Sequence, residues 1–537
     1  MQEPAVKAES GATVAAAPPP EHAPQRWGKV IDQTRCIGCH ACTTACKSEN
    51  LVPLSVTRTY VKHVDVGEYP LARRAHQVTR CNQCAHAPCV TACPTTAMFK
   101  RPDGIVDFDK SICIGCKACM AACPYDAIFI NPEDHSAEKC NFCAHRIDMG
   151  LEPACVVVCP VEAILVGDLN DADSKVARIV NRQPVGVRRP EKETLPKLFY
   201  RGAHQATLDP LAARRPEGEL YMWSQQRTGT DLVPSGHPAH HNTSAAALLS
   251  YDIAHAIPWD WRVSLYTWTK GIASGAYLVA ALLVLLGFIN SQTASDVLGG
   301  YVSFPASPVW LWVAPVVSGA FLGLTGLLLI WDLEHPERFY LIFTRPQWRS
   351  WLVRGAFIIA GYSAVLALHF GASLLGGTTP QRLLMFAGLP LAALTAIYTA
   401  YLFAQAKARD MWQNPLLPPH LFVQSLLAGA CALVPFAMWL DAAAVAPLLW
   451  SVGALSLIHL LLIWGEVSIV HPTAHAHLAV HEMTRGRYRA FFRTGLVLAL
   501  AGVFAPWLGL ASVPLALAGL LLFEHAYVQA GQSVPLA

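Results

Sequence analysis

The stretch RCIGCHACTTACK, residues 35–47, admits two incompatible readings. Cys36 to His40 spells CxxCH, the attachment pattern of a c-type haem, whereas Cys36, Cys39, Cys42 and Cys46 spell CxxCxxCxxxC, the thiolate run of a ferredoxin. The rest of the sequence decides between them. Sixteen of the 17 cysteines lie between Cys36 and Cys159 in four groups of four. After the first group come Cys81, Cys84, Cys89 and Cys93, then Cys113, Cys116, Cys119 and Cys123, and finally Cys140, Cys143, Cys155 and Cys159. Cys431 stands apart in an apolar stretch and reads as a small buried hydrophobe.

The groups repeat one another. The first and third share CIGCxACxxAC, the second and fourth share CNxCAH, and three of the four end in Cys-Pro before a strand-like apolar run. A 4Fe-4S cube exposes four iron corners, each wanting one soft thiolate, so sixteen cysteines supply four cubes. Zinc ribbons also use CxxC pairs, but they need only four ligands and seldom place a third and fourth cysteine this closely. Disulfides are a weaker reading still. Haem attachment needs both cysteines of CxxCH free, and Lys117 stands where the sister group would need its histidine. The stretch therefore reads as iron–sulfur, and no haem is expected.

Composition adds a second part. Of 537 residues, 53% are hydrophobic and 14% charged, too apolar for an ordinary soluble enzyme. A net charge of +3, with no basic run interleaved with aromatics, excludes a nucleic-acid partner. Residues 1–27 are Ala/Pro-rich, lack a signal sequence, and read as a disordered arm. Residues 201–258 read as a polar linker, in which the pair His240-His241 is taken as solvated and not as a metal site. Apolar runs long enough to span a bilayer follow at 266–290, 309–331, 351–376, 382–404, 418–440, 446–469, 490–509 and 511–529, predicting about eight transmembrane helices.

Loop charges orient them. The loops on the side shared with the cysteine region carry Arg338, Arg345, Arg349, Lys407, Arg409, Arg485, Arg487 and Arg489, and the opposite loops only Arg382. By the positive-inside rule the cysteine region faces the cytoplasm from the inner membrane. The need to keep sixteen thiols reduced before cluster insertion points the same way.

With these motifs in place, residues 28–200 resemble the four-cluster electron-transfer subunits of membrane-bound molybdopterin oxidoreductases, such as dimethyl sulfoxide and polysulfide reductases. Residues 259–537 resemble the NrfD/polysulfide reductase C anchors, through WDLEHPERF (331–339), SWLVRGAF (350–357) and the closing AGQSVPLA. The resemblance implies a fusion: an α+β ferredoxin-like domain with four 4Fe-4S clusters, then an all-α NrfD-like membrane domain. It implies nested ligation, in which Cys36, Cys39 and Cys42 share a cube with Cys159, and Cys140, Cys143 and Cys155 share one with Cys46. Likewise Cys81, Cys84 and Cys89 take Cys123, and Cys113, Cys116 and Cys119 take Cys93.

Such a protein relays electrons between a molybdenum- or tungsten-pterin catalytic subunit and menaquinone or ubiquinone in the lipid bilayer. It is not itself the catalyst of the primary substrate reaction. No dinucleotide fingerprint or pterin domain is present in the sequence, which fits a conduit. Ionisable residues at membrane depth are functional candidates, and the family places its quinone near the DLxxPxRF motif. Asp332, Arg338 and Arg354 are the first candidates and Lys270 the next. Headgroup anchoring for the arginines, helix capping for Asp332 and snorkelling for Lys270 are the plain alternatives. His369 and His459 are read as packed histidines. The competing function is a component of a redox-driven proton-translocating respiratory complex. The inward-facing clusters favour oxidation of a cytoplasmic donor.

Overall fold

The structure, a computed structural model, describes residues 25–214, 247–288, 307–376 and 378–537. Nearly all of the expected N-terminal arm and the pair His240-His241 lie outside these residues.

In the cysteine domain, strands place the cysteine groups. β1 (Trp27–Asp32) runs into the first group, and β8 (Ile164–Asp168) leaves the last. They pair antiparallel with Ile31 opposite Ile164, so the two outermost groups are stitched side by side. β10 (Leu198–Arg201) adds parallel to the other edge of β1, and β9 (Val185–Gly186) completes the sheet order β8-β1-β10-β9. β2 (Thr59–Val66) and β3 (Arg73–Arg80) form an unbroken eight-residue antiparallel ladder that delivers Arg80 to the second group. Between the second and third groups lies the hairpin β4 (Met98–Lys100) and β5 (Val106–Phe108). Between the third and fourth lies β6 (Ile128–Ile130) and β7 (Ala137–Lys139). Each hairpin reverses the backbone within a few residues of a cysteine.

The expected linker is only partly a connector. Residues 201–214 pack against the cysteine domain, with Ala206, Leu211 and Ala212 buried, and β11 (Ala247–Tyr251) adds to β2 as a third strand. The reason is local: ALLSY supplies a short, mostly apolar run that an open sheet edge accepts, even though polar residues precede it.

The second half is helical. Its long helices are α1 (Trp261–Leu285), α2 (Val309–Trp331), α3 (Trp351–Leu374), α4 (Thr378–Gln405), α5 (Leu417–Leu440), α6 (Ala442–Ser468), α7 (Arg489–Val503) and α8 (Ser512–Gln532). Among the described residues, seven candidate spans are long and apolar enough to cross a membrane, against the eight expected. The exception is α7, whose 15 residues reach about 22 Å at 1.5 Å per residue. The apolar run 490–509 is interrupted at Phe504, before a four-residue helix carrying Pro506, and the chain turns at Gly509 with φ +55°. α7 nevertheless packs antiparallel along α8, Gly495 facing Gly519 and Gly502 facing Ala516.

α1 is the central helix, buried over most of its length against α2, α4, α5 and α8. It crosses α5 backbone to backbone: a Cβ on Gly275 would lie 1.7 Å from the Ser425 carbonyl oxygen, and one on Gly429 would lie 1.9 Å from the Gly275 carbonyl carbon. Small residues let helices approach this closely.

Candidate metal centre and membrane junction

The repeated sequence motifs fold into repeated backbone turns. In CIGCHAC, Gly38 and His40 take φ of +69° and +59°; in CIGCKAC, Gly115 and Lys117 take +67° and +60°. Two left-handed residues in each loop curl it around one side, and a short helix follows at once. The Cys-Pro segments repeat a second device: Thr96, Asp126 and Glu162, each three residues after the cysteine, all have positive φ. The chain then turns so that the Met98 amide donates to Cys93 Sγ at 3.3 Å and the Ala163 amide to Cys159 Sγ at 3.2 Å. Ala137 likewise donates to Cys113 Sγ at 3.4 Å. Amide donors of this kind favour a thiolate over a thiol.

The structure gathers cysteines from different groups. One cavity is lined by Cys93, Cys113, Cys116 and Cys119, another by Cys36, Cys39, Cys42 and Cys159. Cys89 has Cys81, Cys84 and Cys123 around it together with Lys139, and Cys46 has Cys140, Cys143 and Cys155 together with Arg80. Burial pushes the thiols up, Cys42 to about 11 and Cys46, Cys84 and Cys123 to about 12. Buried thiols of this kind stay protonated until a metal displaces the proton. Cys155 departs from the pattern: burial raises it, but the nearby charges of Arg80 and Lys29 bring it below its ordinary value. Among the described residues no three His, Cys, Asp or Glu side chains converge closely enough to hold a single metal ion. Four soft thiols spread around a shared cavity instead suit an inorganic core with several metal corners.

The Cys93/Cys113/Cys116/Cys119 set lies against the membrane domain. The indole N–H of Trp259 donates to the Cys116 carbonyl at 3.2 Å, and the His335 amide donates to the Ile114 carbonyl at 3.2 Å. Gly115 is needed here, because a Cβ would lie 2.4 Å from Glu334 Cβ. Lys117 pairs with Glu334 at 2.9 Å and with Asp332 at 3.7 Å. Asp332 also faces Arg262 at 3.4 Å. Burial pushes its carboxyl up to about 6, against the opposing pull of Lys117 and Arg262. Farther along the junction His255 bridges Asp126 and Asp252, and Asp410 is held by Lys192 and Arg189.

The four sequence candidates separate. Asp332 and Arg338 meet at the junction, where the Arg338 guanidinium donates to the Lys110 and Cys113 carbonyls. Lys270 lies deeper, fully buried, donating to the Ala396 carbonyl at 3.0 Å and to Thr399 Oγ1 at 2.7 Å. Arg354 is exposed at the start of α3, bonded to the Trp348 carbonyl and lying over the Trp351 ring, as a headgroup anchor would be. Sequence reading missed the stack of Trp259, Phe403 and Trp412, buried just beneath Cys116, with Phe403 and Trp412 at 4.6 Å between ring centroids. Trp259 comes from a segment distant in sequence from Phe403 and Trp412, and the three carry no local signature. It also missed His420, which hydrogen-bonds His459 at 2.8 Å and lies 2.9 Å from Glu466.

Comparison with known proteins agrees with this division. The family described as 4Fe-4S dicluster domain matches residues 75–169 and the one described as 4Fe-4S binding domain matches 27–48, while the family Polysulphide reductase, NrfD matches 251–518. A tetrathionate reductase subunit of Salmonella typhimurium is 43% identical over 198 residues, 35% of this chain and 77% of that protein. A polysulfide reductase chain of Wolinella succinogenes is 41% identical over 179 residues, 33% of this chain and 93% of that one. The thiosulfate reductase electron transfer subunit of Salmonella typhi is 42% identical over 167 residues, 30% of this chain and 86% of that one. By its cysteine domain the protein belongs to the family of iron–sulfur subunits these relatives represent, joined in one polypeptide to a multi-pass membrane domain of the NrfD type.

Proposed function

We propose that the protein wires a catalytic partner to the quinone pool: four 4Fe-4S clusters, held by the sixteen cysteines in the nested sets above, end at a quinone site on the cytoplasmic side of the membrane domain. The observation that carries this reading is the contact between the Cys93/Cys113/Cys116/Cys119 set and residues 332–338. Cubes held there supply one-electron chemistry. The protein's own residues do the rest. Trp259, Phe403 and Trp412 fill the space beneath Cys116 with aromatic surface, and Asp332 offers a carboxylate able to take or give a proton near neutral pH. Lys117 and Arg262 hold that carboxylate in place. Arg338 clamps the loop to the cluster domain.

At the far end Cys39 is exposed, as are the apolar residues Ile37, two positions before it, and Val157 and Val158, which precede Cys159 of the same cavity. This is the face on which a molybdenum- or tungsten-pterin subunit would dock. The named relatives are subunits of reductases, which favours electrons running from quinol outward, opposite to the donor oxidation expected from an inward-facing cysteine domain. The partner's potential sets the direction. The test is reduction of the purified full-length protein in nanodiscs by a quinol analogue. Cluster bleaching that Asp332→Asn slows supports the site, and bleaching unaffected by it removes Asp332 from the reaction.

A second reading, a proton path, is favoured by one feature. Ser264, Thr267, Lys270, Ser274 and Tyr277 recur every three or four residues along buried α1, and the Tyr277 hydroxyl lies 3.2 Å from His369 Nδ1. Vesicle acidification coupled to turnover, lost in His369→Phe while quinone reactivity persists, would establish it.

A further inference from the structure

Several cations are buried in the cysteine domain, and they differ in what balances their charge. Lys117, beside the membrane-adjacent set, is neutralised by Glu334 and Asp332. Arg58 is neutralised by Glu138 at 2.6 Å. Arg80 has no acid among the described residues. Its side chain is 2% exposed, one guanidinium N–H donates to Cys155 Sγ at 2.9 Å, and its Nε and second terminal nitrogen have no partner. Cys155, Cys140 and Cys42 are the groups whose charge it feels most. Lys29 repeats the case: it is 2% exposed, its Nζ has no hydrogen-bond partner, it sits 4.0 Å over the Phe142 ring, and it acts on Cys155 and Cys143.

An unpaired buried cation is strongly unfavourable unless an anion shares the site. The anion available here is the cysteine set itself, once its thiolates hold a cube. A fixed positive charge beside such a centre stabilises the state with one more electron, because reduction adds one negative charge there.

We propose that Arg80, assisted by Lys29, raises the midpoint potential of the Cys46/Cys140/Cys143/Cys155 centre above that of the membrane-adjacent Cys93/Cys113/Cys116/Cys119 centre, so that an electron shared between these two rests on the former. The inference depends on the cluster reading above. One electron entering from either neighbour reduces this centre and leaves that neighbour oxidised; no proton or further reactant is involved. The Cys36/Cys39/Cys42/Cys159 centre, which Arg80 reaches through Cys42, feels the charge less.

The test is an EPR-monitored redox titration of the full-length protein in detergent, with iron per polypeptide measured on each sample. The centre in question is identified by the signal that Cys143→Ser alters. In the wild type it is reduced at higher potential than the centre altered by Cys119→Ser. Arg80→Gln lowers its reduced-to-oxidised ratio at fixed potential about tenfold, equivalent to 59 mV for one electron. Arg80→Lys retains the wild-type position, Lys29→Met lowers it, and the membrane-adjacent centre is unmoved in all three. An Arg80→Gln protein with wild-type iron and an unshifted centre, or with all centres shifted alike, overturns the proposal. Should Arg80→Gln fail to hold iron, an unshifted Lys29→Met protein overturns it equally. A wild-type protein without iron instead defeats the cluster reading on which the inference rests.

Discussion

Lys117 occupies the position that His40 fills in the sister loop, and the same left-handed turn gives the two side chains different tasks. His40 packs against His63 and Tyr251 near the outer set, while Lys117 reaches across the junction to Asp332 and Glu334. The cysteine groups were legible in the sequence because their spacing repeats, and the structure brings Cys93 to Cys113, Cys116 and Cys119 and Cys159 to Cys36, Cys39 and Cys42. The partners of Asp332 were not legible there, because Lys117 and Arg262 come from distant segments. Two outcomes follow at this scale. Cys119→Ser lowers bound iron from about sixteen to about twelve atoms per polypeptide by losing one cube, checked by metal analysis, and it cuts quinone-driven reduction while the outer centres still accept electrons from dithionite. Because burial sets the Asp332 carboxyl at about 6, it is protonated below that pH and ionised above. The pH profile of quinone turnover therefore breaks near pH 6, and Asp332→Asn removes the break.

At the scale of elements, the Cys-Pro turns were readable as places where the chain leaves a cluster. The crossing of α1 and α5 was not readable, because Gly275 and Gly429 meet only in three dimensions. Gly275→Leu forces the two backbones apart and costs at least about 1–3 kcal/mol, measured as lower thermal stability in detergent, while Gly323→Ala, on α2 where an added carbon meets nothing within 4 Å, serves as a control for handling. The short α7 departs from the expected span for a related reason: hydropathy runs through Pro506, but helix hydrogen bonding does not. β11 was hidden inside a polar stretch that its own five residues do not share. The domain junction carries a pH signature. His255 is desolvated, which lowers its pKa, but Asp252 and Asp126 outweigh that and raise it to about 10. With a folded value above the ordinary 6.5, its contribution is complete below about pH 6.5 and fades as pH rises through 10. His255→Gln should cost on the order of 3 kcal/mol at pH 6 and much less at pH 10, seen as convergence of the two proteins' melting temperatures.

For the whole molecule, the loops rich in basic residues lie on the face that carries the cysteine domain, as their contacts with it require. Two of the basic residues counted for orientation have structural duties: Arg338 clamps the junction, and Arg409 is buried, donating to the Gln532 carbonyl. The exposed remainder, including Arg345, Arg349, Arg485 and Arg487, still outweighs Arg382 on the other side. A reporter fused ahead of residue 25 should therefore read as cytoplasmic. If one polypeptide joins a cluster relay to a membrane quinone site, a quinone analogue reoxidises the dithionite-reduced protein in nanodiscs. The expected result is about sixteen iron atoms per polypeptide and return of the whole cluster absorbance when quinone is added. Zinc in place of iron, or clusters that ferricyanide reoxidises while quinone leaves them reduced, would contradict it.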